Sequence, residues 1–262
     1  MVNDIHPLIL LLLLMDILFG IGALVIGILI ATSKIKSTRI LGIKYIISAI
    51  FSFIANAIQI TRFTAKTPEL IASLSQVNNV ISFMAAVAGL LCICLFIHKN
   101  YGCKWIYFPL LAQPLVSVIS TVAFRFVLSR IGDSKQYIAG TGLSTALTSL
   151  ILGTVEALIL ILIFYKNRKA EKVIPHAWII KLIYFCCYLI SPVSGLIFYG
   201  RCFVAGAKGE DLYFSLISKF TMYHYYFTIF LALAGLVMPI YILVMAKKAE
   251  KNPEETAPSI ED

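Results

Sequence analysis

The amino-acid sequence predicts an all-α integral membrane protein, built as a single bundle of seven transmembrane helices. Of its 262 residues, 60% are hydrophobic and 13% are charged, against roughly 45–50% and 25% in an ordinary soluble domain. The apolar residues lie in long runs that short charged segments separate. Because a helix rises about 1.5 Å per residue, each run can cross a hydrocarbon core of about 30 Å. A soluble fold is therefore excluded.

The predicted spans differ in how they match the membrane thickness. The last is longer than a membrane requires, which predicts a tilted helix or one that begins outside the bilayer. Segment 68–77 could extend the third helix outward. The first run has no basic segment before it, so we interpret it as a retained helix and not as a signal peptide. The seven spans cover residues 7–31, 40–61, 78–98, 105–128, 138–165, 177–199 and 214–246.

Basic residues are unequally distributed between the two ends of these spans. Fourteen of the 22 lysines and arginines fall on one side and six on the other. The positive-inside rule then places the N-terminus outside and the C-terminus in the cytoplasm, in what we expect to be the cell membrane. Trp105 and Trp178 agree, since each lies where its helix would enter from the cytoplasmic interface. The net charge of +9 follows this topology pattern, so no nucleic acid partner is predicted.

The connections between the spans are short, and none is long enough to hold a second domain. Residues 1–246 are therefore predicted to form one seven-helix transmembrane domain. Residues 247–262 are basic at first and then acidic, and they contain two prolines. This composition predicts a disordered cytoplasmic tail.

Two carboxylates are predicted to lie inside the membrane. Asp16 falls in the outer half of the first span, and Glu156 falls near the midplane, or slightly inside it, in the fifth. An ionised carboxylate at such depth costs at least a few kcal/mol unless it has a partner, and binding of a ligand or a proton is the usual reason for one. The alternative is a structural carboxyl group that stays neutral or bonds to Ser, Thr or Tyr on a neighbouring helix.

A polar pocket that opens outward would provide partners for Asp16. Arg125, late in the fourth span, and Lys219 and His224, early in the seventh, all approach the outer half of the membrane. Each could counter the carboxylate. The alternative is that the basic side chains extend to the interface while the nearby tyrosines form an aromatic belt. The predicted ligand-binding residues are Asp16, Asn56, Gln59, Arg125, Glu156, Lys219, Tyr223 and His224.

Prolines and glycines indicate where the bundle bends and where its helices come close. Pro114, Pro192 and Pro239 lie within the fourth, sixth and seventh spans, and each is a predicted hinge because it removes one helical hydrogen bond. A purely structural kink is the alternative at each position. Close helix contacts are predicted at four glycines: Gly20, Gly22, Gly140 and Gly142.

No pattern in the sequence predicts catalysis, a metal site or a cofactor. The six cysteines have neither zinc-site nor redox-site spacing, and only one lies on the predicted outer side. An extracellular disulfide within one chain is therefore excluded. The expected partners are the lipid bilayer and an unidentified small molecule or ion, and the sequence leaves a homo-oligomer open.

The chain is similar to G-protein-coupled receptors in its number of helices and its predicted outside N-terminus, but this resemblance is only architectural. After the third span it reads Ile97-His98-Lys99, where those receptors have an acidic-Arg-aromatic signature. A retinal-binding protein would need a lysine near the middle of the seventh span, whereas Lys219 lies at its outer beginning. No family is therefore assigned.

Three functional hypotheses remain. The first is a receptor-like or sensor-like protein that binds a small ligand in the outer pocket and biases the kinked sixth and seventh helices. The second is a transporter or channel in which Asp16 and Glu156 are successive stations for a proton or cation. The third, and least favoured, is a membrane-embedded enzyme that acts on a lipid or isoprenoid.

Overall fold

The computed structural model describes residues 7–65, 67–130, 134–168, 174–207 and 212–251, and in these ranges the secondary structure is helical. Seven α-helices follow one another, with a short 3₁₀ turn at Lys104–Ile106. The helices are α1 (Pro7–Ala31), α2 (Lys36–Thr64), α3 (Pro68–Tyr101), α4 (Tyr107–Leu128), α5 (Ser134–Lys166), α6 (Ala177–Ala207) and α7 (Leu212–Lys251).

All seven helices of the described ranges are long and apolar enough to cross a membrane. This confirms the predicted fold class at the level of an all-helical protein with seven membrane-capable helices. Six of these helices contain their predicted apolar spans, and most continue beyond them; the fourth span, predicted from residue 105, begins in the 3₁₀ turn, and α4 itself starts at Tyr107. The architecture is consistent with a multi-pass integral membrane protein.

The ends of α3 show how local sequence sets the helix limits. The helix begins at Pro68, which confirms that segment 68–77 extends the third helix. Thr67 caps it, since its hydroxyl accepts a hydrogen bond from the backbone N–H of Leu70 at 3.4 Å, and proline is tolerated in the first turn, where its missing N–H has no helical partner. At the other end Gly102 has a φ of 67° and donates its N–H to the carbonyl of His98, a left-handed cap that favours glycine.

Contacts divide the chain into two compact units. The first holds α1, α2, α3 and the C-terminal half of α7. The second holds most of α4, all of α5 and α6, and the N-terminal half of α7. The prediction of one seven-helix domain stays a prediction. The first unit is Met1–Leu111, Asn167–Pro175 and Ala232–Asp262, and the second is Ala112–Lys166 and His176–Leu231.

In the first unit, α1 packs closely against α2 at two glycines. A Cβ atom on Gly42 would overlap the backbone nitrogen of Ala31 and lie 2.7 Å from the carbonyl oxygen of Gly27. A Cβ atom on Gly27 would in turn lie 3.0 Å from the carbonyl oxygen of Gly42. Backbone atoms cannot rotate away as side chains can, so only small residues permit this approach, as is common between helices in membranes.

Hydrogen bonds hold the turn between α1 and α2. Ser33 and Thr38 are buried, and their hydroxyl oxygens lie 3.2 Å apart. Arg39 Nε donates to the carbonyl oxygen of Ser33 at 2.9 Å. The end of α7 joins the same turn, because Glu250 Oε1 accepts from the backbone N–H of Lys34 at 2.5 Å. These bonds satisfy polar groups that the ends of two helices leave unpaired.

In the second unit, α5 packs against α6 through aromatic rings that lie over glycines. A Cβ atom on Gly142 would overlap the ring of Tyr199, and one on Gly153 would lie 2.5 Å from the ring of Tyr188. The contact places the two tyrosines of α6 directly against the backbone of α5. Three buried residues, Ala139, Phe198 and Cys202, form a small core at the same interface.

The predicted close contacts are confirmed at three of the four glycines. A Cβ atom would meet Phe53 at Gly20, Leu128 at Gly140 and Tyr199 at Gly142. The prediction is wrong for Gly22, where a Cβ atom would have none of the described residues within 4 Å. Two residues correspond to about 200° of rotation on a helix of 3.6 residues per turn, so Gly22 lies on nearly the opposite face of α1 from Gly20.

Candidate functional site

A groove of about 570 Å³ lies between α5 and α6 in the second unit. This volume is within the range of sites that bind small molecules. The groove is open along one side, and seven of the twelve described residues that line it carry a hydroxyl group. The hydroxyl-bearing residues are Tyr137, Thr141, Thr145 and Ser149 on α5, and Tyr188, Ser191 and Tyr199 on α6.

The spacing of the polar residues explains why the groove forms on this face of α5. Its four hydroxyl residues recur every fourth position, and a period of four keeps side chains on one face of an α-helix. Small residues on the facing surfaces bring the helices together along the groove. A Cβ atom on Gly195 of α6 would lie 3.2 Å from the Cβ atom of Ala146 on α5.

Three of the groove hydroxyls donate to backbone carbonyl groups. Thr141 Oγ1 donates to the carbonyl oxygen of Tyr137, and Thr145 Oγ1 to that of Thr141, both at 2.9 Å. Tyr188 Oη reaches across from α6 and donates to the carbonyl oxygen of Ser149 at 3.0 Å. A carbonyl oxygen only accepts, so the direction of each bond is determined. The last bond ties the two helices together at one end of the groove.

An ion pair between α5 and α6 lies beyond that end. Lys181 Nζ is 3.3 Å from Glu156 Oε1, and the two side chains are 21% and 28% exposed. Glu156 is seven residues from Ser149 along α5, and Lys181 is seven residues from Tyr188 along α6. Seven residues of an α-helix span about 10 Å. Lys181 Nζ also lies 5.8 Å from the ring centre of Tyr184, at the outer limit of a cation–π contact. The pair gives Glu156 a cationic partner within the same unit.

Among the described residues that line the groove, none carries a charge. Hydroxyl groups, tyrosine rings and apolar side chains make up its walls. Such a surface can bind a molecule by hydrogen bonds and ring contacts, and it offers neither the carboxylate nor the imidazole on which acid–base chemistry usually depends.

The residues of the predicted outer pocket belong to both units. Asp16 is exposed on α1 in the first unit, and Arg125 is exposed on α4 in the second. Lys219, Tyr223 and His224 lie in α7, but their side chains are outside the described part of the structure. Pairing of Asp16 with a basic residue therefore stays a prediction.

The other predicted polar residues lie on one face of α2. Arg62 Nη1 donates to Gln59 Oε1 at 3.0 Å. Asn56, one turn earlier, is only 6% exposed, and its Nδ2 atom has no hydrogen-bond partner among the described residues. Arg62 thus extends the polar face of α2 beyond the two residues predicted from the sequence, Asn56 and Gln59.

The three predicted hinge prolines all lie inside continuous helices. Pro114 is in α4, Pro192 in α6 and Pro239 in α7, and all three are buried. Pro192 also lines the groove beside Ser191. Motion at these positions stays a prediction.

Two features of this region were not predicted from the sequence. One is the hydroxyl face of α5, whose signal is the four-residue spacing of Tyr, Thr, Thr and Ser within an otherwise apolar run. The other is Lys181, which the sequence analysis counts only as a topology signal. Its pairing with Glu156 requires knowledge of how α5 and α6 are aligned, which no pattern in one sequence reveals.

The described residues contain no group of three or more His, Cys, Asp or Glu side chains that could hold a metal ion. All six cysteines are free. Comparison of the chain with protein-family models, curated proteins and solved structures finds no match. The functional argument therefore depends on the geometry and chemistry of the groove.

Proposed function

We propose that the protein is a multi-pass integral membrane receptor or sensor that binds a small molecule in the groove between α5 and α6. Its N-terminus lies outside and its C-terminus lies in the cytoplasm, as the distribution of basic residues indicates. The observation that carries the proposal is the groove itself: a concave site of small-molecule size with hydroxyls from two helices facing it.

The position of the groove along the helices supports sensing over transport. In the proposed orientation α5 runs from the outside to the cytoplasm, so the Tyr137 end of the groove is the outer end. The hydrogen bond from Tyr188 to Ser149 then lies at the inner end, and the Glu156–Lys181 pair lies about 10 Å further toward the cytoplasm. A site that begins near the outer end of the two helices and is followed at its inner end by direct helix–helix bonds fits a receptor.

The same geometry provides a means of passing a signal inward. A ligand in the groove contacts both α5 and α6, so its binding energy can favour one relative position of the two helices. Pro192 lines the groove within α6, where a missing backbone hydrogen bond makes bending easier. The Glu156–Lys181 pair would sense that movement, because it joins the same two helices on the cytoplasmic side.

Thiol accessibility tests the proposal against a transporter. Thr145 is exposed in the groove, and Thr145→Cys is introduced after Cys103, Cys186 and Cys187, the accessible native thiols, are replaced by serine. A membrane-impermeant methanethiosulfonate reagent is then applied to intact cells and to inside-out vesicles. We expect reaction from the outside only.

Two outcomes would contradict the receptor proposal. Reaction at comparable rates from both sides would indicate alternating access and favour the transporter, and no reaction from either side would show that the groove is closed. Val155→Cys is the matched control, since Val155 is exposed on α5 but does not line the groove. We expect it to react from neither side, because a thiol in hydrocarbon or in a helix contact rarely ionises.

A further inference from the structure

We infer that the groove between α5 and α6 takes an uncharged ligand that donates hydrogen bonds, namely an alcohol or polyol. This inference deepens the proposed receptor function and rests on it. It concerns the chemical class of the ligand. It follows from the groove hydroxyls whose protons already donate hydrogen bonds to backbone carbonyl groups.

Three of the seven groove hydroxyls can act toward a ligand only as hydrogen-bond acceptors. A hydroxyl group has one proton to donate and two lone pairs with which to accept. Thr141, Thr145 and Tyr188 each direct their proton to a backbone carbonyl oxygen. Their oxygen atoms therefore present only lone pairs to a molecule in the groove. A ligand that fits these atoms must supply O–H or N–H groups.

The charge distribution selects a neutral donor over a cationic one. No described lining residue is charged, and the neighbouring Glu156 carboxylate is already neutralised by Lys181. A cation that enters the groove would lose its hydration and find no counter-ion there. The desolvation free energy of such an unpaired charge is large in a site of low dielectric constant. A neutral hydroxyl compound avoids this cost while it satisfies the acceptors.

The remaining surface of the groove suits the carbon skeleton of such a compound. Rings of Tyr137, Tyr188 and Tyr199 contribute to the walls, and Ile138 and Pro192 add apolar surface. Aromatic and aliphatic groups pack against C–H bonds without competing for hydroxyl hydrogen bonds. Both a water-soluble polyol and a neutral lipid with a glycerol headgroup combine hydroxyl groups with a carbon skeleton. The ligand could therefore come from the aqueous phase or from the membrane with the same binding chemistry.

Protection from thiol modification tests the inference directly. Ile138→Cys is the reporter, since Ile138 is exposed at the groove and is not one of the acceptors. In nanodiscs, its rate of modification is measured with increasing myo-inositol, glycerol or 1-monooleoylglycerol, and with the fully O-methylated form of each. The first two probes test a soluble source, and the third tests a membrane source.

We expect at least one alcohol to slow modification threefold or more, and its methyl ether, which has lost its donors, to have little effect. Thr141→Val and Thr145→Val remove an acceptor oxygen with little change of shape, and each should weaken protection roughly two- to tenfold. Thr154→Val, also on α5 but outside the groove lining, is the control and should leave protection unchanged.

Tetramethylammonium is added as a further probe, because it is a cation that donates no hydrogen bond. Equal protection by an alcohol and its methyl ether would overturn the inference, and so would protection by tetramethylammonium and by no alcohol, or by none of the probes. These results are distinct from failure of the proposed receptor function, which would appear as a groove thiol that the impermeant reagent cannot reach from outside, or reaches from both sides. Accessibility therefore tests the function, and the choice of protecting probe tests the ligand class.

Discussion

Lys181 Nζ on α6 lies 3.3 Å from Glu156 Oε1 on α5, so a carboxylate in the interior of a membrane-capable helix is paired with a cation on the adjacent helix. The two side chains are less than a third exposed. An ion pair in such a position contributes to stability chiefly because removal of one partner leaves the other charge uncompensated.

Removal of either partner should therefore destabilise the protein more than removal of both. We expect Lys181→Met or Glu156→Gln to lower the free energy of unfolding by about 1–3 kcal/mol, and the double variant to recover at least half of the loss. Unfolding in mixed detergent micelles measures this. Additive losses in the double variant would show that the pair is not coupled.

Substitution of Glu156 also distinguishes the receptor hypothesis from the transporter hypothesis. In the proposed receptor, Glu156→Gln should leave ligand protection of the groove measurable, because Glu156 does not line it. If Glu156 is instead the proton station of a transporter, the same variant should abolish pH-dependent uptake while the protein remains folded. Reconstituted vesicles with an imposed pH gradient distinguish these results.

Gly42 and Gly22 form a matched test of the α1–α2 contact. Gly42→Ala should lower stability by about 1–3 kcal/mol, since its Cβ atom would meet backbone atoms of α1 that cannot move aside independently. Gly22→Ala adds the same methyl group where no atom of the described part of the chain lies within 4 Å, so it should have little effect. Equal thermal stability of the two variants in nanodiscs would contradict the observed packing.

The proposed orientation predicts a labelling pattern along the whole chain. Cysteines introduced at 132–136 and 204–210 should react with an impermeant reagent on intact cells, and those at 167–174 should react only after permeabilisation. The opposite pattern would reverse the orientation, and with it the assignment of the outer end of the groove.

Asp16 provides a test in which the sign of the effect is decisive. If the carboxylate pairs with Arg125, Lys219 or His224, Asp16→Leu should lower stability, because a basic group would be left alone in the membrane. If it faces lipid without a partner, the same substitution should raise stability by removing an isolated charge from hydrocarbon. We expect Asp16→Leu to lower the midpoint temperature of thermal unfolding. An Asp16→Asn variant is measured in parallel, since it removes the charge and keeps the shape of the side chain.

The sequence determines the number and approximate limits of the helices, since long apolar runs and their flanking charges are local properties of the chain. Capping residues such as Thr67 and Gly102 are equally local, and they account for the limits of α3. The apolar run alone would have started this helix ten residues late. Close contact at Gly142 could also be anticipated, because a small residue in a membrane helix usually marks an interface.

Contacts between helices required the tertiary structure. The pairing of Glu156 with Lys181 joins residues 25 positions apart, and the hydroxyl of Tyr188 reaches a carbonyl 39 positions away. Both depend on the rotation and the axial alignment of α5 against α6. In an almost uniformly apolar chain many rotations bury similar surface, so periodicity does not select one. In the structure the rings of Tyr199 and Tyr188 pack over Gly142 and Gly153, and the same two tyrosines line the groove.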